Sequence, residues 1–373
     1  MSKVKKIVIK LGTSSLTQEG DRLSKPFMFE LARQLAKIHE SGVSLVVVSS
    51  GSIAGGKEIL NFPKEDRSLA QKQMFSSVGQ ARLMQIWSEH FASFQIQVGQ
   101  VLMTRDDFSL RKRYLNARDA IDCLLKHRVI PIVNENDAVA TEEIKVGDND
   151  NLAARVAGLI EADLLILLTD QEGLFTSDPR VDPEAELIER VKTIDASIYE
   201  LAGGSRTTLG TGGMYTKIEA AQIAAQSGTQ TIIASSARAN VLLDIVEGQT
   251  IGTLFDFART TAQSRKRWIL SDKRQGAIHV DQGAKAHIMD KGASLLPSGI
   301  TDVTSEFDRG ATVEVVFGGR AFAVGIVSYS SQEVREIAGM RSESIEETLG
   351  YTRGSTIIHR TNMTRTQDNE RES

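Results

Sequence analysis

From residue 4 to about residue 236 the chain repeats one pattern: a short uninterrupted apolar run, then Gly, Ser, Thr, Asn or Asp, then a helix-like segment. Because such runs lack polar alternation, they are typical of strands buried on both faces. Strands that alternate with helices favour right-handed crossovers in a parallel sheet. The pattern therefore predicts an α/β fold, an open and mainly parallel sheet sandwiched by helices. The predicted strands span 7–11, 43–48, 96–102, 129–133, 164–168 and 231–234.

A different organisation is predicted after residue 257. Residues 259–274 are basic, with Asp272 as the one acidic residue, and predict a linker between a first domain at 1–258 and a second at 275–360. Short strands predicted at 277–280, 286–289, 311–317 and 321–329, with glycine-rich turns between them, indicate a small β-rich second domain. Residues 361–373 include a single hydrophobic side chain, Met363, so we expect a disordered tail.

The overall composition narrows the class of protein. The chain of 373 residues is 41% apolar and 25% charged, which is typical of a soluble globular protein. A net charge of −4 gives no bulk attraction to nucleic acid or to anionic lipid. The single cysteine, Cys123, excludes an intrachain disulfide and is expected to be a small buried side chain in a reducing compartment. The first apolar run is too short for a signal peptide or a membrane span, so we expect a cytoplasmic protein without a membrane partner.

Two lysines lie next to glycine-rich segments that are able to bind phosphate. Lys10 ends the first predicted strand just before Gly12, and Lys217 follows the glycines of 210–213 at the start of a predicted helix. A single strand-end lysine is more often a solvated surface residue, but two on such loops form a pair suited to a transferring phosphoryl group. Residues 51–57 have P-loop spacing, yet Glu58 stands where a Ser or Thr must bind Mg²⁺, so we reject that motif.

Polar side chains follow several of the predicted strands. Asp150 is a candidate to bind metal or to align the two lysines, and Asn149 and Asn151 are candidates to bind a zwitterion, although a helix cap would explain one of them. Asp137 is a candidate partner for a substrate ammonium, and the strand at 164–168 is followed by Thr169-Asp170. The segment 49–52 is interpreted equally well as exposed amides and hydroxyls for a substrate carboxylate or as a tight turn.

This set of residues suits one reaction class. A carboxylate nucleophile with an ordinary pKa near 4.3 is ionised at neutral pH and needs no catalytic base. Catalysis then requires positioning and positive charge from lysines, Mg²⁺ and backbone amides. Metalloprotease, nucleophile-elbow and protein-kinase motifs are missing from the sequence.

The order and spacing of these motifs resemble the glutamate 5-kinase family of the amino acid kinase superfamily, with a C-terminal barrel-like PUA domain. The resemblance extends to about residue 360 and is strongest at 9–15, 48–53, 132–137, 147–152, 168–170 and 210–217. It implies that ATP and L-glutamate give ADP and L-glutamyl 5-phosphate, the first step of proline biosynthesis. Related kinases act on N-acetylglutamate, aspartate, carbamate or UMP, so the substrate assignment depends on 134–137, 148–151 and the appended domain.

The resemblance also implies roles for individual residues. Lys10 and Lys217 would stabilise the transferring phosphoryl group, and Asp150 would orient both lysines. Glutamate would be bound by Ser50, Gly51, Asn134, Asp137 and Asn149. ATP would be bound by Lys10, Gly12, Thr169, Asp170, Thr211, Gly212, Gly213, Met214, Tyr215, Thr216 and Lys217. Mg²⁺ is implied by the nucleotide chemistry, without a protein ligand that the sequence identifies.

The expected partners also follow from the resemblance. They are proline as a feedback inhibitor, further copies of the chain in a homodimer or homotetramer, and glutamyl phosphate reductase as a channelling partner. The resemblance leaves two alternatives, a catalytically inactive sensor of glutamate or proline and an RNA-binding protein, because PUA domains resemble RNA-binding modules. However, residues 275–360 hold eight Lys and Arg against eleven Asp and Glu, a net charge of −3. Because a phosphate-binding face should be basic, we do not expect nucleic acid to be a partner.

Overall fold

A computed structural model describes residues 4–18, 20–61, 68–140, 149–202, 213–256 and 269–366. The chain divides into two compact units, Met1–Thr261 and Ala262–Ser373. The strands of the first unit are β1 Lys6–Leu11, β2 Ser44–Ser49, β3 Val98–Met103, β4 Ile130–Glu135, β5 Leu164–Thr169, β6 Arg190–Val191, β7 Gln230–Ser235 and β8 Thr253–Phe255. Its described helices are α1 Thr13–Thr17, α2 Lys25–Glu40, α3 Ser52–Leu60, α4 Leu69–Ala92, α5 Arg105–Ser109, α6 Arg111–Lys126, α7 Asn149–Ile160, α8 Ala196–Leu201, α9 Met214–Gln226 and α10 Val241–Val246.

The first unit is built on one eight-stranded sheet with the order β3-β4-β2-β1-β5-β7-β8-β6. The six strands from β3 to β7 in that order are parallel, and β8 is antiparallel to β7. All six predicted strands are present, and the predicted open α/β sheet is confirmed. Strand β1 lies between β2 and β5, so its carboxyl end is at the centre of the edge where parallel sheets bind ligands.

Both faces of the sheet are covered, which explains the unbroken apolar runs. Along β1, Ile7, Ile9 and Leu11 pack into one core with α2 and α4, while Val8 packs into the other core with α7 and α9. Because successive side chains of a strand point to opposite faces, a strand between two helical layers needs apolar residues at every position.

Helices α3 and α4 cross at very short range. A β-carbon on Gly56 would lie 1.9 Å from the carbonyl oxygen of Phe75, and one on Gly79 would lie 1.7 Å from the carbonyl oxygen of Ser52. Both neighbours are backbone atoms, which do not move aside as a side chain does. Gly56, the second glycine of the rejected P-loop, thus has a packing role.

The second unit carries its own sheet. The strands β9 Arg274–Val280, β10 Ile300–Thr304, β11 Thr312–Phe317, β12 Arg320–Ile326 and β13 Met363–Arg365 have the order β10-β9-β11-β12-β13. The accompanying α-helices are α11 Gln282–Lys291, α12 Ser331–Ile337 and α13 Ile345–Leu349. The predicted small β-rich unit is confirmed.

Three predictions about single segments are wrong. The run 286–289 lies within helix α11 rather than in a strand, because the Asp281 side chain caps that helix and Gly292 ends it in the left-handed region. Met363–Arg365, expected in a disordered tail, pairs with β12, whereas 367–373 lie outside the described residues. Cys123 is exposed rather than buried, because it lies on the outer face of α6. No helix within the described residues is long and apolar enough to cross a membrane.

Candidate active site

The carboxyl ends of β1, β2, β4 and β5 and the first turns of α7 and α9 supply the polar residues that the sequence singled out. Lys10 is the penultimate residue of β1, and Asn134 holds the same place in β4. Asp150 lies in the first turn of α7, and Lys217 lies in the first turn of α9. Residues separated by up to 207 positions in the sequence therefore meet at one edge of the sheet.

A buried ion triad forms the centre of this edge. Lys10 Nζ lies 2.6 Å from Asp150 Oδ1, and Lys217 Nζ lies 3.3 Å from Asp150 Oδ2. The Thr216 hydroxyl lies 2.8 Å from Asp150 Oδ2 and completes the contacts of that oxygen. Lys10, Asp150 and Lys217 are 5%, 1% and 3% exposed, so the triad is shielded from bulk water. One carboxylate thus holds two ammonium groups in fixed positions.

The charges of the triad are strongly coupled. Burial alone would raise the pKa of Asp150, but the Lys10 and Lys217 ammonium groups outweigh it and lower that pKa to about 2. Burial lowers the pKa of Lys217, and the Asp150 carboxylate opposes this effect. With all three groups ionised, the triad carries one net positive charge, which suits the binding of an anion.

A second group of side chains adjoins the triad through α7. Asn149 Nδ2 lies 2.8 Å from Ser50 Oγ and 3.0 Å from Asn134 Oδ1. Asn134 Nδ2 in turn donates to Gln80 Oε1 at 2.9 Å. The structure thus brings together three of the predicted substrate-binding residues and links them to a glutamine on α4.

Asp137 follows β4 and is held by two serine hydroxyls. Ser76 Oγ lies 2.5 Å and Ser52 Oγ lies 3.4 Å from Asp137 Oδ2, and the two hydroxyls are 3.0 Å apart. Burial raises the pKa of Asp137, and the hydrogen bonds from Ser76 and Ser52 act against that rise. A partly buried carboxylate without a basic side-chain partner among the described residues suits a cationic ligand group.

The segment 49–52 combines both of its interpretations. Ser49 is fully buried and accepts a hydrogen bond from Trp87 Nε1 at 3.0 Å, so the expectation that its hydroxyl is exposed is wrong. Gly51 has φ 102° and is the N-cap of helix α3, as a tight strand-to-helix turn requires. Ser50 is the hydroxyl of this turn that contacts the site.

The residues predicted to bind ATP are distributed over three segments. A β-carbon on Gly12 would lie 3.4 Å from Lys10 Nζ, so glycine leaves space next to that ammonium group. Thr169 is buried at the end of β5 and donates to Asp170 Oδ1 at 2.8 Å. Gly213 is the N-cap of α9, Met214 is the first residue of that helix, and the Tyr215 ring packs on Tyr199 with centroids 5.2 Å apart. Thr211 and Gly212 lie outside the described residues.

The Asn151 side chain makes a contact between two helices. Asn151, a candidate to bind a zwitterion, donates to Glu219 Oε2 at 3.2 Å and thereby ties α7 to α9.

The sequence interpretation missed the residues that α4 contributes. Ser76 and Gln80 lie one turn apart on the buried side of α4, together with Gly79 and Leu83. Their positions follow the i, i+3, i+4, i+7 spacing of a helix face that packs on the core. Polar residues at such positions are the signal that could have identified them, since buried polar groups need partners.

Two family models match the chain. The model of the amino acid kinase family matches residues 5–235, and the model of the PUA domain matches residues 276–349. The chain belongs to the amino acid kinase family, as the sequence predicted.

Among individual relatives, the glutamate 5-kinase of Enterobacter sp. (strain 638) is 48% identical over 364 residues, which are 97% of this chain and 99% of the relative. The glutamate 5-kinase of Shewanella pealeana is 49% identical over 361 residues, which are 96% and 97% of the two chains. The solved structure of UMP kinase from Ureaplasma parvum is 16% identical, with a TM-score of 0.46, and the match covers 69% of this chain and 100% of that one.

Proposed function

We propose that this protein is a kinase that transfers the γ-phosphoryl group of ATP to the γ-carboxylate of L-glutamate, giving L-glutamyl 5-phosphate for proline biosynthesis. The observation that carries the proposal is the buried triad of Lys10, Asp150 and Lys217 at the carboxyl ends of the parallel strands. Relatives that are nearly half identical over almost the whole chain are glutamate 5-kinases, which supports glutamate as the substrate.

The triad suits phosphoryl transfer to an anionic nucleophile. The substrate carboxylate is already ionised, so the barrier arises from bringing two anions together rather than from removing a proton. Lys10 and Lys217 would offset the charge that builds on the transferring oxygens. Because Asp150 holds both ammonium groups before the substrate arrives, little reorganisation is required at the moment of reaction.

The substrate side of the site offers groups of both polarities. Asp137 presents a carboxylate for the α-ammonium group of glutamate. The Ser50 hydroxyl and the Asn149 amide, which are hydrogen-bonded to each other, are the neutral polar groups on this side of the site. An N-acetylated substrate lacks the cationic group that Asp137 would bind. The proposal therefore assigns the free amino acid rather than its acetylated form.

Mg²⁺ enters this proposal as part of the ATP complex. Both oxygens of Asp150 are engaged by Lys10, Lys217 and Thr216, which leaves that carboxylate poorly placed to bind a metal. Within the described residues, groups of three or more His, Cys, Asp or Glu side chains that could hold a metal ion do not occur. We propose that phosphate oxygens carry the ion, where it offsets negative charge.

The test is a substrate panel with purified protein, ATP and Mg²⁺. ADP release is measured with glutamate, N-acetylglutamate, aspartate, UMP and carbamate, and hydroxylamine traps any acyl phosphate as a hydroxamate. The expected result is hydroxamate formation with glutamate and not with N-acetylglutamate or aspartate. Turnover of a different substrate would overturn the glutamate assignment, and no turnover at all would favour a sensor.

Several finer expectations stay part of the proposal. They are feedback inhibition by proline, assembly into a homodimer or homotetramer, channelling to glutamyl phosphate reductase, and a cytoplasmic location. The predicted domain limits 1–258, 259–274 and 275–360 also stay proposals. The clearest support for two domains is the division of the chain into two compact units near residue 261.

A further inference from the structure

The side-chain amide of Asn149 belongs to a hydrogen-bond chain whose direction is set by the backbone. The backbone N–H of Glu135 lies 2.9 Å from Asn134 Oδ1. A backbone N–H is only ever a donor, so the atom of Asn134 that it meets must be the amide oxygen. The amide nitrogen of Asn134 therefore faces the other way, toward Gln80 Oε1 at 2.9 Å.

The same logic fixes the orientation of the next amide. Because Asn134 presents an oxygen, Asn149 must present its nitrogen, and Nδ2 donates to Asn134 Oδ1 at 3.0 Å and to Ser50 Oγ at 2.8 Å. These bonds use both N–H groups of Asn149, so its amide is able to offer a ligand only an acceptor, Oδ1. The Ser50 oxygen accepts one of these bonds, which leaves its hydroxyl hydrogen for donation.

Gln80 is the anchor of this chain on α4. It is 8% exposed, and its Oε1 is the acceptor that Asn134 Nδ2 requires. Its Nε2 is buried without a hydrogen-bond partner among the described residues. A methionine would fill similar space without leaving a buried donor unpaired, so packing alone does not account for a glutamine here.

We propose that Gln80 is a positioning residue that holds Asn134, and through it the Asn149 amide, in place at the substrate site. It holds the Asn149 amide with Oδ1 available to an ammonium group and the Ser50 hydroxyl available to a carboxylate. That pair of groups matches the α-amino and carboxylate ends of a free amino acid. The inference deepens the proposed function and rests on it.

The test compares glutamate with glutarate, which has both terminal carboxylates but no ammonium group. The measured quantity is the inhibition constant of glutarate, in competition with glutamate, divided by the KM for glutamate. In Gln80→Met the Asn134 amide keeps its bond to the Glu135 N–H but loses its acceptor on α4, so the Asn149 amide that it holds is less well placed. We expect this ratio to fall about tenfold while the KM for ATP changes less than about twofold. A purely structural role would weaken both ligands equally and leave the ratio unchanged.

Two further variants make the result specific to the oxygen of Gln80. Gln80→Glu keeps an oxygen facing Asn134 Nδ2 and is expected to hold the ratio within about threefold of wild type. Gln85→Met makes the matched substitution at an exposed position of the same helix, where the Gln85 side chain hydrogen-bonds to Arg82 and Glu89, and is expected to leave the ratio unchanged. Gln80→Asn withdraws Oε1 by one methylene and provides the same test as Gln80→Met if that variant does not fold.

The outcomes separate this inference from the proposed function. If wild-type protein forms no hydroxamate with glutamate, the proposed function fails before any variant is compared. If wild-type protein is active and the ratio is the same in Gln80→Met or Gln80→Asn, the positioning role is wrong while the kinase assignment stands. If the ratio in folded Gln80→Glu falls as far as it does in Gln80→Met, the positioning role is also wrong.

Discussion

Asp150 balances two buried ammonium groups, so the members of the triad should differ in what their removal does. Without Lys217, the ion pair of Lys10 and Asp150 remains and is neutral. Without the charge of Asp150, two ammonium groups remain buried with no opposing charge in the triad. The first change should therefore act on catalysis and the second on folding as well.

The first prediction concerns Lys217→Met. We expect kcat to fall about 100-fold or more, because one of the two positive charges next to the transferring phosphoryl group is removed. The free energy of unfolding should stay within about 1 kcal/mol of wild type, since the remaining pair is balanced. Steady-state kinetics and urea unfolding check both statements.

The matched control is Lys6→Met, at the opposite end of β1, where Lys6 Nζ contacts Ile160 O at 2.9 Å. This variant should keep its kcat. A kcat of Lys217→Met within threefold of wild type would remove Lys217 from the catalytic machinery.

The second prediction concerns Asp150→Asn and its pH dependence. We expect a loss of about 3–5 kcal/mol in the free energy of unfolding at neutral pH, because the charge that balances two buried ammonium groups is gone. The pKa of Asp150 is lowered from 3.8 to about 2 on folding, so its stabilising effect is complete above 3.8 and is lost as the pH falls toward about 2.

The difference in stability between wild type and Asp150→Asn should therefore shrink across that acid range. Urea unfolding at a series of pH values measures it. A difference that stays constant from neutral pH to pH 2 would contradict the ionised, lysine-bound state of this carboxylate.

At the scale of helices and strands, the sequence predicted the parts of the fold that depend on local pattern. Apolar runs identified the strands, and turn residues after them identified the edge where Lys10, Asn134 and Thr169 lie. The prediction for 286–289 failed because three apolar residues and His287 fit a short strand as well as a helix, and the decisive cap, Asp281, lies outside the segment.

The role of α4 could not be predicted in the same way. Ser76 and Gln80 lie in the middle of a 24-residue helix, remote in sequence from every strand end. They reach Asp137 and Asn134 because α4 crosses α3 at the short distance that Gly56 and Gly79 permit. This is a tertiary effect, and no local spacing reports it.

The third prediction tests that helix crossing with Gly79→Ala. The added β-carbon would meet the carbonyl oxygen of Ser52 at 1.7 Å, so the helices must separate. We expect a loss of about 3 kcal/mol or more in the free energy of unfolding of the first unit. We also expect a higher KM for glutamate, because Ser52 and Ser76 would no longer both be able to hydrogen-bond to Asp137.

Trp87, buried on α4, provides a fluorescence signal for this unfolding transition. Ser77→Ala is the control on the same helix, since Ser77 is exposed, and it should change stability by less than about 0.5 kcal/mol. A Gly79→Ala protein as stable as Ser77→Ala would show that the two helices tolerate a wider spacing.

At the scale of the whole molecule, the two units have separate cores. The two main clusters of the first unit and the clusters of the second unit share no residue, and every described candidate site residue lies before residue 261. Units with separate hydrophobic cores are able to fold independently. The fourth prediction is that the fragment 1–261 folds and turns over glutamate with a kcat within about threefold of the full chain.

The start of the second unit allows a sharper form of this test. Ile269 is fully buried and packs with Val324 and Ile326 of β12, although it belongs to the segment predicted as a linker. A fragment that begins at 262 keeps this contact, whereas a fragment that begins at 275 loses it together with the first residue of β9. We expect the shorter fragment to be less stable by about 2–4 kcal/mol, the usual effect of emptying a buried isoleucine site.

Urea unfolding of the two fragments, followed by circular dichroism, measures the difference. The variant Ile269→Ala in the longer fragment should reproduce most of the loss, because the effect is assigned to one side chain. Equal stability of the 262–373 and 275–373 fragments would place the domain boundary at the end of the predicted linker. The expected difference would instead move the boundary to the amino side of Ile269 and make the last part of the predicted linker a structural element of the second domain.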